Sequence, residues 1–357
     1  MSSAGHSIHI AFGFTDGPYG GGNQFLKALR QELRRIGSYA ETLAEANAVI
    51  INSFNKGHEG LLKDVIKAKG DNSNLVIAHR VDGIFSLSRG RNHPADRALL
   101  HLNRLLADFT IFQSSWAKLE WEKIGLFMRE SDQIVSNAPP FGLFSADARP
   151  FAPNGKVKLV SSSWSSNVNK GFDAYSWLDM NLNWTKYEMT FFGNSPVGFS
   201  NIVVRKPIRQ DELAIQLRKF DIFISPARDE CCSNSVLEAL HSGLPVIGYD
   251  GGGTPELIQS GGLLFKNPTE LPSAIEKIVE KYSSYRNQIA VSQISKIAED
   301  YMAAISDYRK EATPVKAPRL RRSLFIACYL STPAQIFWAL RSRMSSIVRE
   351  SKVLTSG

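Results

Sequence analysis

Short apolar runs alternate with helical stripes along most of the chain. In the first half SIHIAFGF, ANAVIINSF, NLVIAH, FTIFQS and QIVSN read as strands. The segments between them carry apolar residues at helical spacing, as in Phe25, Leu26, Leu29, Leu33 and Ile36, or Leu61, Leu62, Val65 and Ile66. This is the pattern of parallel βα units in a doubly wound domain. Around Asn137 to Pro153 the chain turns rich in proline and glycine (NAPPFGLF, ARPFAPNG), which breaks regular structure and suits an interdomain hinge. A second series follows: KVKLVSSS, YEMTFFG, NIVVRK, DIFISP, LPVIGYD and GLLFK as strands, with helices expected near 171–181, 209–219, 233–242 and 269–282. A long helical pattern over 285–309 either closes the second domain or crosses back to the first.

At 357 residues and 43% hydrophobic content the chain suits two domains with a core each. The three cysteines, Cys231, Cys232 and Cys328, cannot build a disulfide framework, and bridging the adjacent pair would strain the backbone. No stretch reaches the roughly 20 apolar residues of a spanning helix, and no apolar leader follows Met1, so a cytoplasmic protein is expected. The formal charge of +8 is uneven: from Ala312 onward eight cations face one anion, a net +7 that leaves +1 for residues 1–311. The expected organisation is residues 1–150, residues 151–310 with a closing helix, and a basic tail over 311–357.

The chemistry concentrates in SPARDECCSNSVLEALHSGLPVIGYDGGGTPELI. Seven residues separate Glu230, on a turn after an apolar strand, from Glu238, in the helix that starts near Ser233. Both acids therefore face one strand-to-helix crevice, where open α/β sheets bind ligands and helix N-termini offer N–H groups to anions. A sugar nucleotide fits such a place, since its hydroxyls suit carboxylate acceptors and its diphosphate suits N–H donors and a cation. Asn234 and Ser235 open that helix, either as plain caps or with their N–H groups turned to a diphosphate. Gly20, Gly21 and Gly22, after Pro18 and Tyr19, let the backbone approach a phosphate, or make a plain tight turn. Their spacing lacks the full G-x-G-x-x-G pattern, which argues against a nicotinamide dehydrogenase. Cys231, Cys232 and His241 lack metal-site spacing and a fourth ligand; buried packing accounts for them better.

The Glu-x7-Glu pair, the NSVLEALHSGLPVIGYDGGGTPELI run and the glycine-rich turn after the first strand resemble the retaining GT-B glycosyltransferases of the family-4 type, over nearly all of residues 7–305. The resemblance implies an α/β GT-B fold, two Rossmann-like domains facing across a cleft, with the nucleotide diphosphate-sugar held mostly by the second domain and the acceptor by the first. It implies no metal and no other cofactor. By position, Glu230 resembles the acid that holds the donor sugar's hydroxyls and Glu238 the one that binds the ribose. Lys170, in SSSWSSNVNKGFDAY, resembles the lysine that neutralises the leaving diphosphate. His79 resembles a histidine facing the donor sugar, or is a satisfied structural histidine; the resemblance also implies that the backbone of Gly251, Gly252 and Gly253 lies beside the donor, with Glu256 bracing that loop. Asp82 and Arg80 are candidates for the acceptor side, or pair with one another. The family's arginine a few residues before the lysine is missing; Ser162, Ser163, Trp164 and Ser165 stand in its region, and Arg205 and Arg228 are candidates to replace it.

Residues 316–352 combine RLRR with the apolar patch Leu324 to Leu330 and the helical series Ile336, Phe337, Leu340, Met344, Ile347 and Val348. Such a segment lies in an anionic membrane interface or packs on the body or another subunit. The first course would bring the protein to the inner face of a membrane and to a lipid-linked acceptor in polysaccharide biosynthesis. A nucleic-acid partner is not expected, since no nucleic-acid fold accompanies the charge. The reading is a retaining hexosyl transfer from a nucleotide diphosphate-sugar to a hydroxyl of a glycan or lipid-linked saccharide; the rivals are a GT-B sugar-nucleotide epimerase and a non-catalytic nucleotide-sugar-binding scaffold.

Overall fold

The computed structural model describes residues 6–17, 20–53, 60–89, 94–146, 151 and 155–311. The first unit runs β1 (Ile8–Ala11), α1 (Gly21–Arg35), β2 (Ala48–Asn52), α2 (Gly60–Asp71), β3 (Val76–Arg80), α3 (Phe85–Arg89), α4 (Pro94–Leu106), β4 (Phe109–Phe112), α5 (Ser115–Lys123) and β5 (Gln133–Ile134). Its strands lie parallel in the order β1-β2-β3-β4-β5. Tyr39 adds a single parallel bridge to Ile8 on the side of β1 away from β2. The chain thus leaves β1 toward one edge and returns to the other, which makes a switch point at the carboxyl end of β1.

Alternation along each strand feeds two cores. Ala48 and Ile50 of β2 pack with Phe25, Leu29 and Leu33 of α1. Val49 and Ile51 pack with Val65 of α2 and Leu102 of α4.

The second unit runs β6 (Val157–Ser163), α6 (Phe172–Asn181), β7 (Tyr187–Gly193), β8 (Val203–Arg205), α7 (Gln210–Leu217), β9 (Ile222–Ser225), α8 (Asn234–His241), β10 (Val246–Tyr249), α9 (Thr254–Ile258), β11 (Gly262–Phe265), α10 (Leu271–Glu280) and α11 (Tyr282–Asn287). The sheet order is β11-β10-β9-β6-β7-β8, again all parallel. α6 and α10 cover one face, α7 and α8 the other. Between β6 and β9 successive connections diverge, which opens a second crevice.

The last described helix, α12 (Ile294–Glu311), decides the course of the 285–309 pattern. It crosses back: Ile297, Ala298, Tyr301 and Ile305, all 0–2% exposed, pack with Phe25 and Leu29 of α1 and Ile10 of β1. The helix expected to close the 151–310 unit instead completes the core of the first. The basic tail, with the patches over 316–352 and Cys328, lies outside the described residues, as do Pro18 and Tyr19.

Candidate functional site

A cleft of about 460 Å³ lies between the carboxyl ends of the two sheets. Gly20–Gly22, Asp82, Gln113 and Asn137 line it from the first domain. Ser162–Ser165, Lys170, Gln210, Glu230, Asn234, Ser235 and Glu238 line it from the second.

Lys170 is delivered by local backbone geometry. After β6 the chain makes a 3-10 turn, Val168–Lys170, in which Asn167 Oδ1 accepts from the Asn169 N–H. Gly171 then takes φ +76°, and a Cβ there would lie 2.3 Å from the carbonyl oxygen of Pro226, just past β9. Only glycine allows the two loops to close this tightly. The Arg228 N–H fixes the contact by donating to the Asn169 carbonyl at 2.7 Å. Lys170 Nζ consequently stands 2.6 Å from Glu230 Oε1, each side chain about a quarter exposed. Two residues assigned to diphosphate and to sugar are thus paired with each other.

Gly252 and Gly253, expected beside the donor, pack against the backbone of the Glu230 loop. Gly252 has φ +62° and its missing Cβ would meet the Glu230 carbonyl at 2.6 Å, while the Gly253 N–H donates to that carbonyl at 2.7 Å. The turn buttresses the Glu230 loop that lines the cleft. Glu256 braces an interdomain contact: its carboxylate accepts from the Ser115 and Trp116 N–H groups at 2.9 Å each, at the start of α5.

Glu238 lies in α8, 7% exposed, with Gln210 Nε2 donating to its Oε1 at 2.7 Å. Burial pushes its carboxyl up to about 7, and the Gln210 bond offsets only part of that. Ser233 is the N-cap of α8 without a side-chain cap bond, and the Ser233 and Ser235 hydroxyls lie 3.0 Å apart. The first-turn N–H groups of α8 have no intrahelical acceptors and open at the cleft. The Asn234 side chain reaches across the cleft instead, donating to the Gly21 carbonyl and accepting from Asn137 Nδ2, both at 2.8 Å.

The first domain corrects two assignments. His79 is 0% exposed; its Nδ1 lies 3.0 Å from Asn103 Nδ2 of α4, and burial drops its pKa to about 3. It cannot face a donor sugar, because β3 runs on through Arg80 and the His79 side chain stays buried under α4. Arg80 is also 0% exposed and cannot touch an acceptor. Its guanidinium donates to Asn52, Asp82 and Asn137 and lies over the Phe25 ring at 4.8 Å. Asp82, which it pairs, does reach the cleft.

Neither arginine offered for the missing cation lines the cleft. Arg228 pairs with Asp173 at 2.6 Å, and Arg205 is exposed on the edge strand β8. Among the described lining residues Lys170 is the one cation, against Asp82, Asp229, Glu230 and Glu238. Cys231 and Cys232 are free and buried, and burial raises both thiols, Cys232 to about 11. His241 is 6% exposed and held near 4 by burial.

Gln210, Asn52, Gln113 and Asn137 were not among the sequence candidates. A signal existed for three: Asn52 ends AVIIN, Gln113 follows FTIF and Asn137 follows QIVS, each a polar residue at the carboxyl end of a strand run. Among the described residues no His, Cys, Asp or Glu group of three gathers as for a metal, and no helix is long and apolar enough to cross a membrane.

Residues 193–281 match the family model described as Glycosyl transferases group 1. A sulfoquinovosyl transferase of Arabidopsis thaliana is 31% identical over 133 residues, 31% of this chain and 26% of the relative. The match thus spans about a quarter of that curated relative's length. Among solved structures, Anabaena HepE in complex with UDP is similar with TM-score 0.61 at 13% identity, covering 84% of this chain and 100% of that one. The catalytic domain of starch synthase IV from Arabidopsis thaliana bound to ADP and acarbose gives 0.62 at 9%, covering 87% and 100%. Sucrose-phosphate synthase from Thermosynechococcus elongatus gives 0.59 at 13%, covering 90% and 100%. At such identities these structures show the fold. Two facing parallel sheets with the site between them, together with the matched segment, define the class as the GT-B glycosyltransferase fold. The segment that matches group 1 contains Glu230, Glu238 and the Gly251–Gly253 buttress.

Proposed function

We propose that the protein transfers a hexose from a nucleotide diphosphate-sugar to a hydroxyl acceptor with retention of anomeric configuration. The observation that carries this reading is the Lys170–Glu230 pair at 2.6 Å, set in the same crevice as the buried Glu238 and inside or beside the group 1 segment. A cation and a carboxylate held in contact by two loops are poised to exchange each other for ligand groups of opposite need. Lys170 turns to the diphosphate, and Glu230, released, accepts hydroxyls of the donor sugar. Glu238 accepts from the ribose.

In the proposed step the bond between the anomeric carbon and the diphosphate oxygen breaks, and a bond to the acceptor oxygen forms on the same face. The acceptor proton passes to the departing phosphate oxygen, so no separate protein base is needed. Charge on the leaving diphosphate is met by Lys170 and the first-turn N–H groups of α8, and the reading invokes no metal. The UDP held by HepE and the ADP held by starch synthase IV support a nucleotide in this cleft. The basic, amphipathic sequence over 316–352 supports a cytoplasmic protein seated on an anionic membrane and a lipid-linked saccharide or glycan as acceptor.

The test is nucleoside diphosphate release from UDP-, GDP- and ADP-sugars, with and without membrane extract. Acceptor-stimulated release from one donor is expected, with Lys170→Ala lowering kcat by about 100-fold or more. Acceptor-independent conversion of the nucleotide sugar would replace transfer by epimerisation, and tight donor binding without turnover would leave a binding scaffold, the reading favoured if one lining cation is too few.

A further inference from the structure

The carboxyl ends of β2, β3 and β4 and the segment after β5 converge on a closed set of polar side chains. Arg80 Nη1 donates to Asn52 Oδ1 and Asp82 Oδ1 at 2.6 Å each, and Nη2 donates to Asn137 Oδ1 at 2.8 Å. Asn52 Nδ2 donates to Asp82 Oδ2 at 2.6 Å, and Gln113 Nε2 to Asp82 Oδ1 at 2.9 Å. Asn137 Nδ2 is shared between Gln113 Oε1 at 3.1 Å and, across the cleft, Asn234 Oδ1 at 2.8 Å. Asn234 Nδ2 goes on to the Gly21 carbonyl at 2.8 Å. One side chain of the second domain therefore completes a network of five from the first.

Burial gives this contact weight. Arg80, Asn52, Gln113 and Asn137 are 0–5% exposed, so a bond lost here is not simply replaced by one to bulk water. Asp82 is the exception: its side chain is 34% exposed and lines the cleft, and among the described residues its Oδ2 accepts from Asn52 alone, which leaves room for a hydroxyl. Asn234 lies four residues after Glu230 and four before Glu238, so it moves with both. The Asn137 backbone N–H also crosses the cleft, to Cys232 Sγ at 3.4 Å.

We propose that Asn137 and Asn234 form an interdomain latch that fixes the Asp82 carboxylate as the second domain docks, so that the acceptor-facing group and the Glu230–Glu238 segment are set by one network. Asn137 and Asn234 are positioning residues. The role of Asp82 toward an acceptor hydroxyl rests on the nucleotide-sugar reading; the latch rests on the two domains alone. In the undocked molecule Asn137 Nδ2 loses one acceptor and Arg80, held by Asn52 and Asp82, loses the fixed position of its third partner.

The experiment is hydrogen exchange of the ligand-free full chain over residues 135–139, which report the Asn137 amide. Asn234→Ala and Asn137→Ala are each expected to speed that exchange at least tenfold, and the double variant no more than either single, as for one shared contact. Asn234→Asp, which keeps an oxygen for Asn137 Nδ2 but cannot donate to Gly21, recovers part of the protection. If Asn137→Ala fails to fold, the two Asn234 variants decide. Exchange within twofold of native in Asn234→Ala, or fully additive effects in the double variant, overturns the latch. With a turned-over donor, the ratio of transfer to donor hydrolysis falls at least tenfold in Asn234→Ala and partly returns in Asn234→Asp; an unchanged ratio overturns the coupling to Asp82. Absence of turnover in the native chain instead refutes the transfer reading and leaves the exchange result to judge the latch.

Discussion

Glu238 carries opposed demands on one carboxyl. Its folded pKa of about 7 lies above the ordinary value of 4.5 because α8 buries it with one neutral donor, Gln210. Between these values the folded chain holds a proton that the unfolded chain has released, so stability falls as pH rises from about 5 to 7. The shift corresponds to a contribution on the order of 3 kcal/mol, present at low pH and lost above 7. Glu238→Gln is therefore expected to be more stable than native at pH 8 by roughly 1–3 kcal/mol, the gap closing toward pH 5, as read from urea midpoints. Donor binding runs the other way, since ribose hydroxyls are best accepted by the ionised form. Calorimetry should show donor affinity falling about tenfold from pH 8 to pH 6 in native protein and staying flat in Glu238→Gln. A flat native profile would remove Glu238 from the ribose.

Between elements, the site depends on how closely the loop after β6 meets the end of β9. Gly171→Ala adds a Cβ 2.3 Å from the Pro226 carbonyl at φ +76°, so one loop must move. A loss of about 2–4 kcal/mol is expected from thermal unfolding, together with a kcat loss approaching that of Lys170→Ala, because Lys170 leaves Glu230. Full activity in Gly171→Ala would show that their contact does not matter for turnover. The strands of both sheets were legible in the sequence, because apolar runs and helical stripes repeat regularly along α/β chains. For His79 the structural alternative holds over the sugar-facing one, because β3 does not end there. The strand includes Arg80, and alternation sends the two side chains to opposite faces, leaving Asp82 to emerge at the cleft. Asn52, Gln113 and Asn137 were not legible as one unit, since four chain-distant strand ends meet only in the folded sheet.

For the molecule as a whole, the order of the chain and the membership of the domains differ. The first domain's core is incomplete until α12 returns to it, with Tyr301 and Ile305 at 0% exposure against α1 and β1. Two connections therefore join the units, one after β5 and one before α12, so that the second domain is in effect inserted into the first. Relative motion is restrained to swings that both connections allow, and the Glu256 contact with α5, the Asn137–Asn234 bond and the Asn234–Gly21 bond are among the polar contacts such a swing would break. The insertion has a measurable consequence. Ile305→Ala removes a fully buried side chain far along the sequence, at about 2–5 kcal/mol, and the loss should fall on the first domain. Hydrogen exchange is expected to accelerate over residues 8–52, roughly 250 to 300 positions away in sequence, while β6 and β7, residues 157–193, keep native protection. Ile275→Ala, at 0% exposure in the second core, should give the reverse map. Loss of protection over 157–193 in Ile305→Ala would mean that α12 belongs energetically to the second domain, and that the two units unfold as one.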